Sequence, residues 1–434
     1  MMTRGRNNAC DDPVARRRDR RPYRRVAILT ACCALMSSSS SSWDSFVVAV
    51  AAQPFSKAAK SVTKSKTAKK LVKYPSTFYF VEEDDASSDG VEEELDDAER
   101  SFESSRSAGC VDFERYYQIE RDIGEIASEI ADPGALAHFY GAIVRLVAHD
   151  FMDHDTNDPD QMGSDGCIDW LSEKNVGLNS IWSEETPLKH LWEEKYSDIS
   201  WADFWIMAAN GVIHMASTGD KLDLRDTFLW GRDDRESCPQ SSERLPTTES
   251  CREVEGVFLE RMGLTWSEAV ALLGAHTIGR GHEMFSGHYG TWSQNDFEAQ
   301  IFDNQYYREL VGRAWSPRPI SNDPPLSDFT TTEVDDPKPK MMLNTDACLV
   351  FDLESSGPCC TRTDLFKTNG ESHCQTMEDE QCPVYDEGNP RLEATEAVAE
   401  YAEGNANFYE AFRQAWFKAT TNGNSNLKRV VEEC

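Results

Sequence analysis

The chain has 434 residues, enough for one large domain or two ordinary ones and for a full hydrophobic core. It carries 76 acidic against 44 basic residues, a net charge of −32. Such a surface repels phosphate backbones and anionic lipid, which argues against nucleic-acid binding and membrane-surface attachment.

The N-terminus opens with a basic run, Arg16–Arg25, then the apolar stretch Val26–Met36, the serines Ser37–Ser42 and a second apolar piece, Phe46–Ala52. The order basic, apolar, small reads as a secretory signal over residues 1–52, and neither apolar piece is long enough to span a bilayer. The abundant arginine leaves an organelle presequence, mitochondrial or plastid, as the alternative; the acid-free segment Ser56–Lys70 resembles a second, transit-like signal. Residues 53–106 pass from basic to acidic, with Glu82–Arg100 poor in large apolar groups, and read as a disordered pro-segment or linker.

From Cys110 onward the pattern becomes helical segments joined by polar loops, one mainly α domain over about residues 107–430. Asp132 caps a helix over Asp132–Phe151, Pro133 suits its first turn, and Leu136, Phe139, Tyr140, Ile143, Val144 and Val147 recur at helical spacing. Asp198–Ile213 is a second helix, Asp233–Ser250 a loop, and Thr265 with Glu268 forms a capping box opening a third helix. Asn304–Trp315 and Ala394–Thr420 complete the helices; strand-like alternation is scarce and no repeat is visible. Of thirteen cysteines, Cys10, Cys32 and Cys33 lie in the removable leader. The other ten, an even number behind a signal, favour disulfides in an oxidising compartment, with pairing left open. No pair of C-x-x-C motifs supports zinc instead.

Two places carry chemistry. Arg145 and His149 stand four residues apart and share one face of the first helix, a cation one turn from a base. Gly274-Ala275-His276-Thr277-Ile278-Gly279-Arg280 follows the capping-box helix, and its small residues let a flat ligand approach the backbone. Each alone is more often structural than functional; the two together point to a site.

Together the motifs resemble the plant, fungal and bacterial haem peroxidase superfamily over nearly the whole domain. Arg145-Leu-Val-Ala-His149-Asp150 resembles the distal helix motif and Leu272-Leu-Gly-Ala-His276-Thr-Ile-Gly-Arg280 the proximal one. Asn175-Val-Gly-Leu178 matches the element whose Asn orients the distal His; Met341 to Asp346 matches the one whose Asp accepts the proximal imidazole proton; Tyr401 through Phe408, Phe412 and Trp416 resembles the closing helix. The resemblance implies two helical lobes with haem b between them, His276 as iron ligand, and Arg145, His149, Asn175 and Asp346 in catalytic places. Trp292, sixteen residues after His276, resembles the proximal tryptophan of cytochrome c and ascorbate peroxidases, with a plain core aromatic as the lesser alternative. The signal and cysteines resemble the secreted fungal and plant classes, so the chain reads as a hybrid.

Departures shape the expected substrate. Phe285 replaces the arginine by which ascorbate peroxidases hold ascorbate, and His138 and Ala142 stand where manganese peroxidases carry carboxylates. Ala148 replaces the usual Phe or Trp before the distal His, implying a roomier, wetter pocket. Thr277, Ser293, Asn295 and Asp303 resemble a potassium or calcium site, with three extra residues before Asp303. Asp150, Gly163 and Asp165 resemble a calcium loop in which Cys167 replaces a Ser. The expected partners are hydrogen peroxide and a small phenolic reductant. The alternatives are a protein electron donor working through Trp292 and a weakly active haem-binding relative.

Overall fold

The computed structural model describes residues 69–73, 78–82, 109–322, 325–331, 340–355, 359–361, 380–431 and 434. The expected leader, residues 1–52, lies outside them. Within the expected linker, β1 (Lys69–Lys73) and β2 (Phe78–Glu82) pair antiparallel, with Leu71 opposite Phe80. This differs from the expected lack of regular structure; Leu71, Val72, Phe78, Tyr79, Phe80 and Val81 are strand-forming residues whose local preference outweighs the polar flanks.

The segment from Gly109 is mainly helical. The first group is α1 (Phe113–Ser128), α2 (Pro133–Phe151) and α3 (Trp201–Ala216), with α3 packed on both others. Asp132 caps α2 by accepting from the Ala135 amide at 2.8 Å, with Pro133 in the first turn, as expected. Helix α3 starts later than Asp198 because Ser200 is the residue that caps it, accepting from the Asp203 amide at 3.1 Å. Phe204 to Ile213 are all buried, so α3 is the apolar spine of this group.

The second group gathers α4 (Trp266–Leu273), α5 (Gln305–Gly312), α6 (Leu392–Glu403) and α7 (Asn405–Thr421), with α4 packed against α6 and α7. The Thr265–Glu268 capping box is present in both directions. The single helix expected over Ala394–Thr420 is instead two, broken at Gly404. There the Asn304 side chain donates to the carbonyls of Tyr401 and Ala402, taking acceptors that a continuous helix would use. Helix α5 stops short of Trp315, and the 233–250 loop contains a four-residue helix, Ser241–Arg244.

The sheet was not anticipated: β3 (Ser316–Asn322), β4 (Pro325–Thr330) and β5 (Met341–Met342) form an antiparallel trio. Prolines 317 and 319 mask the strand pattern of β3, whose pairing is interrupted by a bulge between Pro319 and Ser321.

Two covalent and ionic devices fasten the body. Among the described residues the disulfides are Cys110–Cys434, Cys167–Cys238, Cys251–Cys348 and Cys359–Cys382, and Cys360 is disulfide-bonded too. The fully buried Arg232 pairs with Asp203 of α3 at 2.6 Å and donates to the Thr420 carbonyl at the end of α7, joining the two helical groups. No helix among the described residues is long and apolar enough to cross a membrane.

Candidate active site

A cavity of about 430 Å³ is lined by residues of α2 and of the turn following α4, so it belongs to both helical groups. His149 and Arg145 of α2 and His276 all line it, with Ala148, Leu272, Ile278 and Leu343 among its apolar walls. Close approach of the two groups is a glycine effect: a Cβ on Gly141 of α2 would sit 2.6 Å from the Gly279 Cα, three residues past His276.

The distal side is a closed hydrogen-bond set. Arg145 Nε lies 3.2 Å from His149 Nε2, and Nη1 and Nη2 donate to the carbonyls of Val176 (3.0 Å) and Lys174 (2.9 Å). His149 Nδ1 lies 2.8 Å from Asn175 Oδ1, while the Asn175 amide nitrogen donates to the Asp169 carbonyl at 3.0 Å. That second bond orients the amide with its oxygen toward the ring, so Nδ1 carries the proton and Nε2 presents its lone pair to the guanidinium. The loop holding Arg145 and Asn175 turns at Gly177, whose φ of +91° lies in the left-handed region and whose Cβ would strike the Phe285 ring. Burial, reinforced by the Arg145 and Lys174 charges, pulls the His149 imidazole down to about 3 despite the Asn175 bond, so it is neutral over ordinary pH. Burial likewise lowers Arg145 to about 10, which leaves it charged.

On the proximal side Asp346 is fully buried and accepts four hydrogen bonds: His276 Nδ1 (2.9 Å), Tyr306 Oη (2.9 Å), Trp292 Nε1 (2.6 Å) and the Leu343 amide (2.9 Å). Burial alone would raise this carboxyl, but the facing His276 and these donors hold it below its usual range. Trp292 is stacked on His276 with ring centroids 4.4 Å apart and planes 18° apart. Tyr306 was missed in the sequence; a buried tyrosine needs a polar partner, but the helix pattern of α5 does not say which.

The proposed cation residues divide. Thr277 Oγ1 donates to Asp303 Oδ1 at 3.2 Å and Ser293 Oγ to the Thr277 carbonyl at 2.6 Å, so three of the four are neighbours. The Asn295 side chain instead accepts from the amides of Phe297 and Glu298, capping its own turn. On the distal side Asp150 accepts from the amides of Gly166 and Cys167, Asp165 accepts from Cys167, and Gly163 donates to Asp153 at 3.0 Å. Burial raises all three carboxyls, Asp165 to about 6, and the charges of neighbouring aspartates add to the rise. Asp153, which the sequence pattern does not indicate, joins the cluster of Asp150, Gly163 and Asp165. The fully buried Ser164 hydroxyl has no partner among the described residues.

The model of the family described as peroxidase matches residues 125–360, more than half of the chain and both halves of this site. The chain belongs to the peroxidase family. It lies in the haem peroxidase superfamily, beside ascorbate and cytochrome c peroxidases. It is similar to L-ascorbate peroxidase 3 of Arabidopsis thaliana, 31% identical over 205 residues, covering 47% of this chain and 67% of that protein. It is also similar to the mitochondrial cytochrome c peroxidase of Aspergillus fumigatus, 31% identical over 184 residues, covering 42% and 44%. Of two further curated relatives it matches, the chain spans 66% and 52% of the length.

The residues fit the family's haem. The cavity admits a flat apolar group between largely aliphatic walls. The His276 imidazole has its Nδ1 engaged by Asp346, while its Nε2 has no partner among the described residues and is available to an iron.

Proposed function

We propose that this chain is a haem peroxidase that reduces hydrogen peroxide and oxidises small phenolic donors one electron at a time. The observation that carries the reading is the pairing, in one cavity, of a neutral His149 bonded to Asn175 and bridged to Arg145 with a His276 bonded to a buried carboxylate.

His276 would hold the haem iron through Nε2, and Asp346 would keep its imidazole electron-rich. The haem, when bound, supplies the redox centre at which the peroxide O–O bond is cleaved and the oxidising equivalents are stored. His149 Nε2 takes the proton from one peroxide oxygen and returns it to the other, acting as base and then acid. Asn175 keeps the required tautomer by occupying Nδ1. Arg145, fixed by two backbone carbonyls, supplies positive charge where negative charge develops on the departing oxygen. Ala148 leaves room above this pair. Phe285 in place of an arginine favours aromatic donors over ascorbate.

The second reading, a cytochrome c peroxidase-like enzyme with a protein donor, is favoured by Trp292 stacked on His276 and by the net charge of −32, which suits a basic partner. The buried carboxylates of Asp150, Asp153 and Asp165 with the Ser164 hydroxyl suit a calcium ion. Thr277, Ser293 and Asp303 suit a potassium or calcium ion. Residues 1–52 act as a leader, residues 53–106 as a linker and residues 107–430 as the peroxidase domain. The disulfides favour an oxidising compartment reached by secretion over an organelle.

Stopped-flow mixing of the haem-loaded protein with hydrogen peroxide tests the reading. His149→Leu should slow the reaction by about 10²–10⁴-fold, the usual weight of a positioned base. A rate matching the wild type would remove His149 from this role.

A further inference from the structure

A further histidine of the same cavity has a wiring of its own that the peroxide chemistry does not use. His288 is 3% exposed and lines the cavity wall together with Thr247 and Thr248. Its Nδ1 lies 3.1 Å from Asp328 Oδ2, and its Nε2 lies 3.0 Å from Thr248 Oγ1. Asp328 on β4 is fully buried and stands opposite Arg318 of β3 in the sheet register. Arg318 grips it with two bonds, 2.8 Å from Nε and 2.7 Å from Nη2, and also donates to the Tyr289 carbonyl. Beside Thr248, the hydroxyl of Thr247 is buried and has no partner among the described residues.

The polarity of this row follows from its ends. Asp328 can only accept, so His288 donates from Nδ1, which leaves Nε2 as an acceptor for the Thr248 proton. Thr248 Oγ1 therefore keeps lone pairs and no proton for the cavity: it can receive a hydroxyl hydrogen but cannot give one. Apolar Pro246, which is two residues before Thr248, and Phe285 and Leu326 line the same cavity. A ligand with one O–H group on a flat apolar body matches both features.

We infer that Thr248, His288, Asp328 and Arg318 form a donor subsite that binds the hydroxyl of a phenolic reductant and accepts its proton as it is oxidised. This rests on the peroxidase reading above. One-electron oxidation of a phenol must also shed a proton. The electron goes to the oxidising equivalent left by hydrogen peroxide. The phenolic O–H bond breaks, its proton passes to Thr248 Oγ1 as the threonine's own proton passes to His288 Nε2, and a phenoxyl radical leaves. Two such donors, each giving one electron and one proton, balance the reduction of one hydrogen peroxide to two waters. The imidazolium formed stands against the Asp328 carboxylate, which the two Arg318 bonds hold in place and aimed. His149, facing a neutral amide and a cation, is wired for the opposite duty of staying unprotonated between turnovers. Within this subsite Thr248 is the residue that touches substrate, and Asp328 and Arg318 are positioning residues.

Calorimetric titration of the resting haem-loaded protein, without peroxide, compares phenol with anisole, which has the same ring but no proton to give. The wild type should prefer phenol, and Thr248→Val should reduce that preference about tenfold, the weight of one hydrogen bond, while Thr248→Ser retains it. An unchanged preference in Thr248→Val overturns the inference. In turnover, the ratio of phenol to ferrocyanide oxidation should fall in Thr248→Val and recover in Thr248→Ser, because ferrocyanide loses only an electron. An equal loss with both donors also overturns it, since a loop merely displaced would harm both. A wild type that shows the phenol preference but does not react with peroxide would refute the peroxidase reading and leave the phenol-binding site standing.

Discussion

Replacing Asn175 by Asp should move the acid limit of the peroxide reaction, because it puts a negative charge opposite His149 Nδ1 while giving up the amide donor to the Asp169 carbonyl. In the structure that nitrogen lies 2.8 Å from the Asn175 oxygen, and the imidazole is held at about 3 by burial and by the Arg145 and Lys174 charges. A carboxylate there puts a unit negative charge about 4 Å from the ring, worth about 4 kcal/mol at an effective dielectric of about 20, or about 3 pH units. The new carboxylate is itself buried and partly neutralised, which takes back about a third of this, leaving a rise of about 2 units. The neutral ring is the base, so the reaction persists above the imidazole's pKa and fails below it. The wild-type rate constant with peroxide should therefore hold down to about pH 3, and that of Asn175→Asp should begin to fall near pH 5. Stopped-flow rates across pH 3–8 provide the comparison. Coincident acid limbs, or a shift to lower pH, would refute the assignment of His149 as base and of Asn175 as its orienting partner.

Calcium should stabilise the protein more at pH 7.5 than at pH 5. Burial raises Asp150, Asp153 and Asp165, so their ionisation with rising pH costs stability unless a cation compensates; equal shifts in melting temperature at both pH values would argue against a distal ion. Arg232→Met leaves Asp203 buried without its cation and should cost about 3–5 kcal/mol in guanidinium unfolding. A loss under about 1 kcal/mol would show that the pair does not hold the two helical groups together. Tyr306→Phe removes one donor from Asp346, strengthening its pull on the His276 proton, and should lower the haem midpoint potential by on the order of tens of millivolts. A potential that stays put or rises would separate Tyr306 from the iron's tuning.

What was legible in the sequence was what local spacing encodes. Arg145 and His149 sit one turn apart on α2, and the Asp132 and Thr265 caps follow side-chain rules that act over three residues. The order of the motifs around Asn175, His276, Trp292 and Asp346 carried the rest of the site. What was not legible depends on long-range packing. Tyr306 reaches Asp346 across 40 positions, and Asp153 joins Asp165 only after the loop between them folds back. The sheet stayed hidden because two of its strands contain prolines and the third is two residues long, and the pairing of Arg318 with Asp328, on which His288 depends, is set by strand register. The break between α6 and α7 was hidden likewise, since the Asn304 side chain that takes the Tyr401 and Ala402 carbonyls comes from another element.

Everything proposed for this site requires His276 to hold a haem opposite the His149–Arg145 pair. Resonance Raman spectroscopy of the ferrous haem-loaded protein reads the iron–imidazole bond directly. The wild type should hold one haem per chain with an iron–histidine stretch that is lost in His276→Ala and replaced by that of added free imidazole. An identical stretch in the wild type and in His276→Ala would contradict it.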